Sequence, residues 1–233
     1  MKVDYKTTKG KAIIFLLLFP FVLMIFLTIL DQIDTYLTEP DETEEIPCYY
    51  DGVLKTGATY RYGNFIYKYK QEKRENDWIN IHDNVEGWGV ALDNEFSKEP
   101  ITVEGYCNTI RGIPIVSMAY MFEGSYAESI DMTGFDTSNV INMRWMFANT
   151  MSETIILNGM NTSKVTDMSY MFSRALAKSL DLSSFDTSNV TNMQNMFDIR
   201  YGSGYIYVKN EEEYNRLKNS PVRSSDAIIS IKG

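Results

Sequence analysis

Apolar positions along this chain follow three rules in turn. Residues 12–30, AIIFLLLFPFVLMIFLTIL, are apolar with no charge among them. As a helix rising ~1.5 Å per residue they span ~28 Å, close to the hydrocarbon thickness of a bilayer. Pro20 inside the run is tolerated better in a membrane helix than in a soluble one. The pattern predicts a transmembrane anchor. Lys2, Lys6, Lys9 and Lys11 before it, with Asp31 and Asp34 after it, orient residues 1–11 to the cytoplasm and the rest outside. The competing reading is a cleaved signal peptide, whose apolar region is ~7–15 residues and ends at a small-residue site. This run is longer, and LTILDQIDTYL offers no such site.

The second rule is alternation. Residues 31–47 carry no apolar period, and their end, TEPDETEEIP, is an acidic, proline-containing spacer. From residue 48 to 109 apolar and polar positions take turns. ATYRYGNFIYKYK alternates around Gly63 and Asn64, the pattern of a half-buried hairpin. DWINI, GWGVAL and PITVEGYC add further short strands, and the stretch reads as a β-rich cap.

The third rule is a fixed step. Met121, Met146, Met171 and Met196 lie 25 residues apart, and each is followed by phenylalanine: Phe122, Phe147, Phe172 and Phe197. The same step links Met118 to Met193, Ile115 to Val190, and Ile110, Phe135, Met160 and Phe185. It also links Ile130, Ile155, Leu180 and Tyr205; Met132, Leu157, Leu182 and Tyr207; and Tyr126, Met151, Leu176 and Tyr201. A strict period of this length means stacked coils, each burying its apolar residues against the next. Within a coil, SLDLSSF alternates as a strand and DTSN is turn chemistry. VTNMQNMF sets Val190, Met193, Met196 and Phe197 on a helical face, with Thr191 as N-cap. Each coil is thus expected to be strand, turn, short helix and return loop, over residues 110–208. Residues 209–233 are expected to close the array with a helix capped by Asn210, acidic at Glu211 to Glu213 and basic at Arg216 and Lys218, and a last edge strand.

Composition narrows the function. With 22 basic and 31 acidic residues the net charge is −9, which argues against nucleic acid as a partner. His82 is the only histidine, and Cys48 and Cys107 the only cysteines, so no zinc site of usual spacing can be drawn. The two cysteines bracket the cap, and the choice is between a disulfide, permitted outside the cytoplasm, and two buried thiols. Met-x-x-Met recurs four times. Thioethers can hold Cu(I), but columns that continue through Phe and Val behave as core. A hydrolase needs a base beside its nucleophile, and His82 in NIHDN has no such setting. Asp131 and Asp181 recur at one position and could serve as acid and base, or simply as a solvated face. The best binding candidates are outward strand positions: Asp131, Thr133, Thr154, Ile156, Asn158, Asp181 and Ser183, with Ser129 and Ser179 beside them. Their alternative is the merely soluble side of the coil. Tyr49, Tyr50, Trp78 and Trp88 could bind sugar but suit a core.

The phrase SLDLSSFDTSNVTNMQNMF with its 25-residue step resembles the BspA-like leucine-rich-repeat surface proteins, in the branch found in mycoplasma surface lipoproteins. TIRGIPIVSMAYMF is similar to the entry segment of such arrays. The middle coil departs at Met160 and Lys164. The resemblance implies a bacterial, surface-exposed protein of adhesive or binding type, without cofactor, metal or catalytic residue. The expected fold is therefore an α/β solenoid, a leucine-rich-repeat-like array with a β-rich N-terminal cap and one transmembrane helix. The expected function is non-catalytic adhesion to host or neighbouring-cell proteins or glycans, at the cell membrane with the C-terminal domain outside. The alternative is a structural cell-envelope display protein with no specific ligand.

Overall fold

The computed structural model describes residues 44–45, 48–49, 52, 59–70, 87–198, 204–218 and 228–232. The chain divides into two units, Met1–Glu42 and Thr43–Gly233, and every described residue lies in the second.

The alternation around Gly63 folds as a hairpin. Strands β2 (Thr59–Tyr62) and β3 (Phe65–Lys70) pair antiparallel. Gly63 has φ 57°, and a Cβ there would lie 2.6 Å from the Gly105 backbone, so turn geometry and packing both require glycine. Strand β4 (Gly87–Leu92) pairs antiparallel with β3, and β1 (Glu44–Glu45) pairs parallel with β2. Strand β6 (Ile113–Ser117) runs parallel to β4, and β5 (Thr109–Ile110) pairs antiparallel with β6. The sheet order is β1-β2-β3-β4-β6-β5. Alternate residues Tyr60, Phe65, Tyr67 and Trp88 are buried on one face. The Trp88 indole N–H donates to the Ile110 carbonyl at 3.2 Å, which satisfies the polar edge of a fully buried ring. Cys48 and Cys107 are joined by a disulfide, closing the cap at its two ends.

Beyond the cap each coil contributes one short strand: β7 (Ser129–Asp131), β8 (Thr154–Ile156), β9 (Ser179–Asp181), β10 (Tyr205–Val208) and β11 (Ile228–Ile231). Strand β7 pairs with β8, and β9 with β10 and β10 with β11, all parallel. Ile101 forms a parallel bridge with Ile130, so the cap fills the strand position ahead of β7. Ile130, Ile155, Leu180 and Ile206 make one inward column. That column corrects the strict 25-step at its end. Leu180 pairs with Ile206, and Tyr205 and Tyr207 face outward. One extra residue in the last coil exchanges the faces, because side chains on a strand alternate with period two.

The expected helix in each coil is absent, and the fold is a mostly-β solenoid rather than an array of strand, turn and helix. After Met118, alternate N–H groups point to the next coil. Those of Met118, Tyr120, Phe122 and Gly124 donate to the carbonyls of Asn142, Arg144, Met146 and Ala148 at 2.8–3.0 Å. The groups between close tight turns: Met121 N–H donates to Met118 C=O, and Ser125 N–H to Phe122 C=O. Tyr120, Trp145, Tyr170 and Asn195 all take φ between 54° and 63°, the left-handed third position of such a turn. A residue of that hand cannot continue an α-helix. Apolar spacing of three suits a run of such turns as well as a helix, and inter-coil bonding selected the turns. Inside, Phe122, Phe147, Phe172 and Phe197 stack with centroids 5.4, 5.3 and 5.9 Å apart. Met121, Met146, Met171 and Met196 lie buried beside them, each side chain contributing ~1.5–3 kcal/mol.

Polar corners stack as well. The Thr137 hydroxyl donates to Asn161 C=O and accepts the Asn161 N–H, at 3.0 and 2.7 Å. Thr162 does the same with Asp186, at 2.9 and 2.8 Å. At the front Asn108 Oδ1 takes the place of a threonine and accepts the Asp136 N–H at 2.9 Å. At the back stands α1 (Glu211–Lys218), whose Glu213 N–H is capped by Asn210 Oδ1 at 3.0 Å.

The expected membrane anchor is also corrected. Among the described residues no helix is long and apolar enough to cross a membrane; α1 has eight residues and is largely charged. Residues 12–30, on which the single-pass anchor and the cell-membrane location rested, lie outside the described residues, as do residues 1–11 and most of the acidic linker.

Candidate binding site

The outward strand positions fall on one sheet face, where they are less free than their sequence pattern promised. Asp131 Oδ1 accepts the Thr133 N–H at 2.8 Å, and Asp181 Oδ1 accepts the Ser183 N–H at 3.0 Å. Both carboxylates therefore hold the corner after their strands. Asp181 also receives Lys232 Nζ at 2.6 Å. Burial works against its charge, but the bonds from Lys232 and Ser183 outweigh that and keep its pKa below the usual carboxylate range. Ile156, not Asp181, is the residue paired in register with Asp131. Thr133, Thr154 and Asn158 are exposed. Among the described residues no three His, Cys, Asp or Glu side chains cluster to hold a metal. The Met-x-x-Met pairs lie in or against the core, and Trp88 is fully buried. His82, Trp78 and Tyr50 lie outside the described residues.

A different place collects exposed apolar side chains. Leu92, Glu95 and Phe96 at the end of β4 face Tyr120, Glu123, Gly124 and Tyr126 of the first coil and Asn149 and Met151 of the second, around a cleft of about 720 Å³. The backbone builds it directly: Leu92 N–H donates to Met121 C=O at 3.0 Å, and Tyr126 N–H to Glu95 C=O at 2.8 Å. Phe96 is 70% exposed, and Tyr126 and Met151 are each 47% exposed. The Phe96 and Tyr126 rings lie 5.9 Å apart. Tyr120 starts a second ring row that runs up the flank, stacked on Trp145 at 6.2 Å, which in turn stacks on Tyr170 at 4.6 Å. Burial raises the Glu123 pKa, against a bond with Asn149 that lowers it.

The spacing of Tyr126, Met151 and Leu176 reads as one more core column, but these side chains face outward. The signal was in their neighbours. Ser125, Ala127, Thr150, Ser152, Ala175 and Ala177 are small and all buried. Small residues flanking a large one at alternate positions mark the side with little room. The Thr150 hydroxyl donates to Ser125 C=O at 3.2 Å and that of Ser152 to Ala127 C=O at 2.7 Å, so even the polar ones are satisfied within the stack.

No curated protein and no solved structure matches the chain. Residues 115–202, from β6 to just beyond the last Met-Phe pair, match the family model described as "Mycoplasma protein of unknown function, DUF285".

Proposed function

We propose that this chain is a non-catalytic binding protein of the BspA-like repeat type, whose solenoid presents a site for a protein or glycan on its flank. One observation carries the reading. Ile156, Tyr205, Tyr207, Ile228 and Ile231 are also exposed, but Phe96, Tyr126 and Met151 are exposed around a cleft that also carries two carboxylates and an amide. Exposed apolar surface beside convergent polar groups is the ordinary composition of a recognition site. The ladder beneath it, with phenylalanine stacked on phenylalanine, fixes the backbone of the coils that carry Tyr126 and Met151, which lowers the ordering cost of binding. Asp131 and Asp181, the acids with most claim on acid–base chemistry, are engaged in turns.

The test is a panel of immobilised glycans and peptides probed with the full chain and with the Phe96→Ser, Tyr126→Ser double variant. Retention by the wild type and its loss in the variant are expected. Equal retention by both moves the site elsewhere. No retention by either leaves the display protein without ligand as the better account.

A further inference from the structure

What the cleft's lining selects for is charge. Glu95 enters from the turn after β4 and Glu123 from the first coil, while no lysine, arginine or histidine is among the lining residues. Three rings, Phe96, Tyr120 and Tyr126, share the space with Met121 and Met151. Resting on the cleft's being the ligand site, we propose that it binds a cation on an apolar stem, the lysine or arginine side chain of a basic segment in a partner protein.

Four physical reasons converge. Ring faces attract ammonium and guanidinium groups, most strongly where water is thinned. Lysine and arginine stems lie along apolar surface such as Leu92 and Met151 while the head meets the acids. Glu123 is half-buried and its charged form is disfavoured by that burial, so an arriving cation relieves a cost already present in the free protein. The net charge of −9 draws basic partners from a distance. A neutral sugar could stack on the rings and hydrogen-bond to the acids, but it would leave two carboxylates without countercharge.

The experiment titrates the full chain with capped Gly-Lys-Gly, Gly-Arg-Gly and Gly-Gln-Gly peptides and with methyl glucoside. It follows the backbone NMR signals of Phe96, Gly124 and Tyr126. The lysine and arginine peptides are expected to move these signals, and the glutamine peptide and the glucoside to leave them in place. Glu123→Gln is expected to weaken the lysine peptide by about tenfold. Glu95→Gln, which keeps the backbone bond from Tyr126 N–H to the residue 95 carbonyl, should weaken it in the same direction. Added salt should weaken it further. If the glutamine peptide or the glucoside moves the signals as far as the lysine peptide, the cation is wrong while the cleft remains a ligand site. If no probe moves them, the cation proposal falls, and the panel with the Phe96 and Tyr126 variant judges the site by itself.

Discussion

Thr187 donates its hydroxyl to Glu213 Oε2 at 2.5 Å, and its N–H to Glu213 Oε1 at 3.3 Å. Thr137 and Thr162 give their hydroxyls to the backbone of the following corner; after Thr187 the helix α1 takes the place of a corner, and its Glu213 carboxylate accepts instead. Asn108 does the corresponding work at the other end, so one threonine ladder is closed by a side chain at each terminus. Glu213 is buried and also meets Arg216 Nη1 at 3.3 Å. Glu213→Ala should cost about 2–3 kcal/mol, because it leaves buried donors unpaired. Glu213→Gln should recover part of that. Urea unfolding measures both; a loss below about 0.5 kcal/mol for the alanine variant would mean that the ladder needs no terminal partner.

The disulfide Cys48–Cys107 spans 59 positions. Chain-entropy arithmetic for a loop of that size gives about 4 kcal/mol. Cys48→Ser with Cys107→Ser is expected to lower the unfolding free energy by that order, and reduction of the wild type to match it. Thermal melts with and without reductant provide the check.

Gly124, Asn149 and Arg174 occupy one column and share φ between 56° and 67°. An arginine in this region costs about 1–2 kcal/mol, part of which a glycine returns through greater freedom in the unfolded chain. Arg174→Gly should therefore stabilise by about 0.5–1 kcal/mol. Its contact with Asp198, at 3.9 Å and half exposed on both sides, is too weak to reverse the sign. A lower midpoint in urea would refute this.

Asp136 and Asp186 accept hydrogen bonds from the Ser138 and Ser188 side chains and backbone, which lower both pKa values. A carboxyl depressed on folding contributes stability above its unfolded value, lost as pH falls through the folded one. The effect belongs below about pH 4. Asn161 makes the same turn without charge, its Oδ1 accepting the Ser163 N–H at 3.1 Å. Asp136→Asn with Asp186→Asn should keep the fold at pH 6 and flatten the decline between pH 4 and about pH 2. Urea midpoints across that range decide it.

Glu123 has the opposite sign. Its pKa is raised by burial, so the folded state favours the protonated form, and that contribution disappears as pH rises through the folded value. Glu123→Gln should then be more stable than wild type at pH 7 and lose its advantage toward pH 4. A gain in stability with a loss of binding is what a binding residue displays. Equal stability of the two proteins at pH 7 would argue that Glu123 is well solvated in the free protein.

Several elements were open to reading from the residues. Gly63 and Asn64 announced the hairpin, the step of 25 announced the stack, and Asn210 with three following acids announced α1. The cleft was not legible, for a definite reason. Its rim joins Phe96 of the cap to Tyr126 and Met151 of successive coils, and no spacing links Phe96 to the repeat. A column of large residues, moreover, recurs at the same step whether it faces in or out.

The sequence by itself determined that like residues must stack: a period of 25 repeated through methionine, phenylalanine and threonine columns admits no other economical burial. Three matters were left to the tertiary structure. Where each backbone N–H found its acceptor made the Met-Phe segments turns instead of helices, since a spacing of three fits both and only the neighbouring coil offers carbonyls at the right height. One added residue put Ile206 inside and Tyr205 outside. The close approach of the cap to the first coil placed an acidic, aromatic cleft between segments that share no motif, because a cleft is a property of surfaces brought together and not of the order of residues along either one.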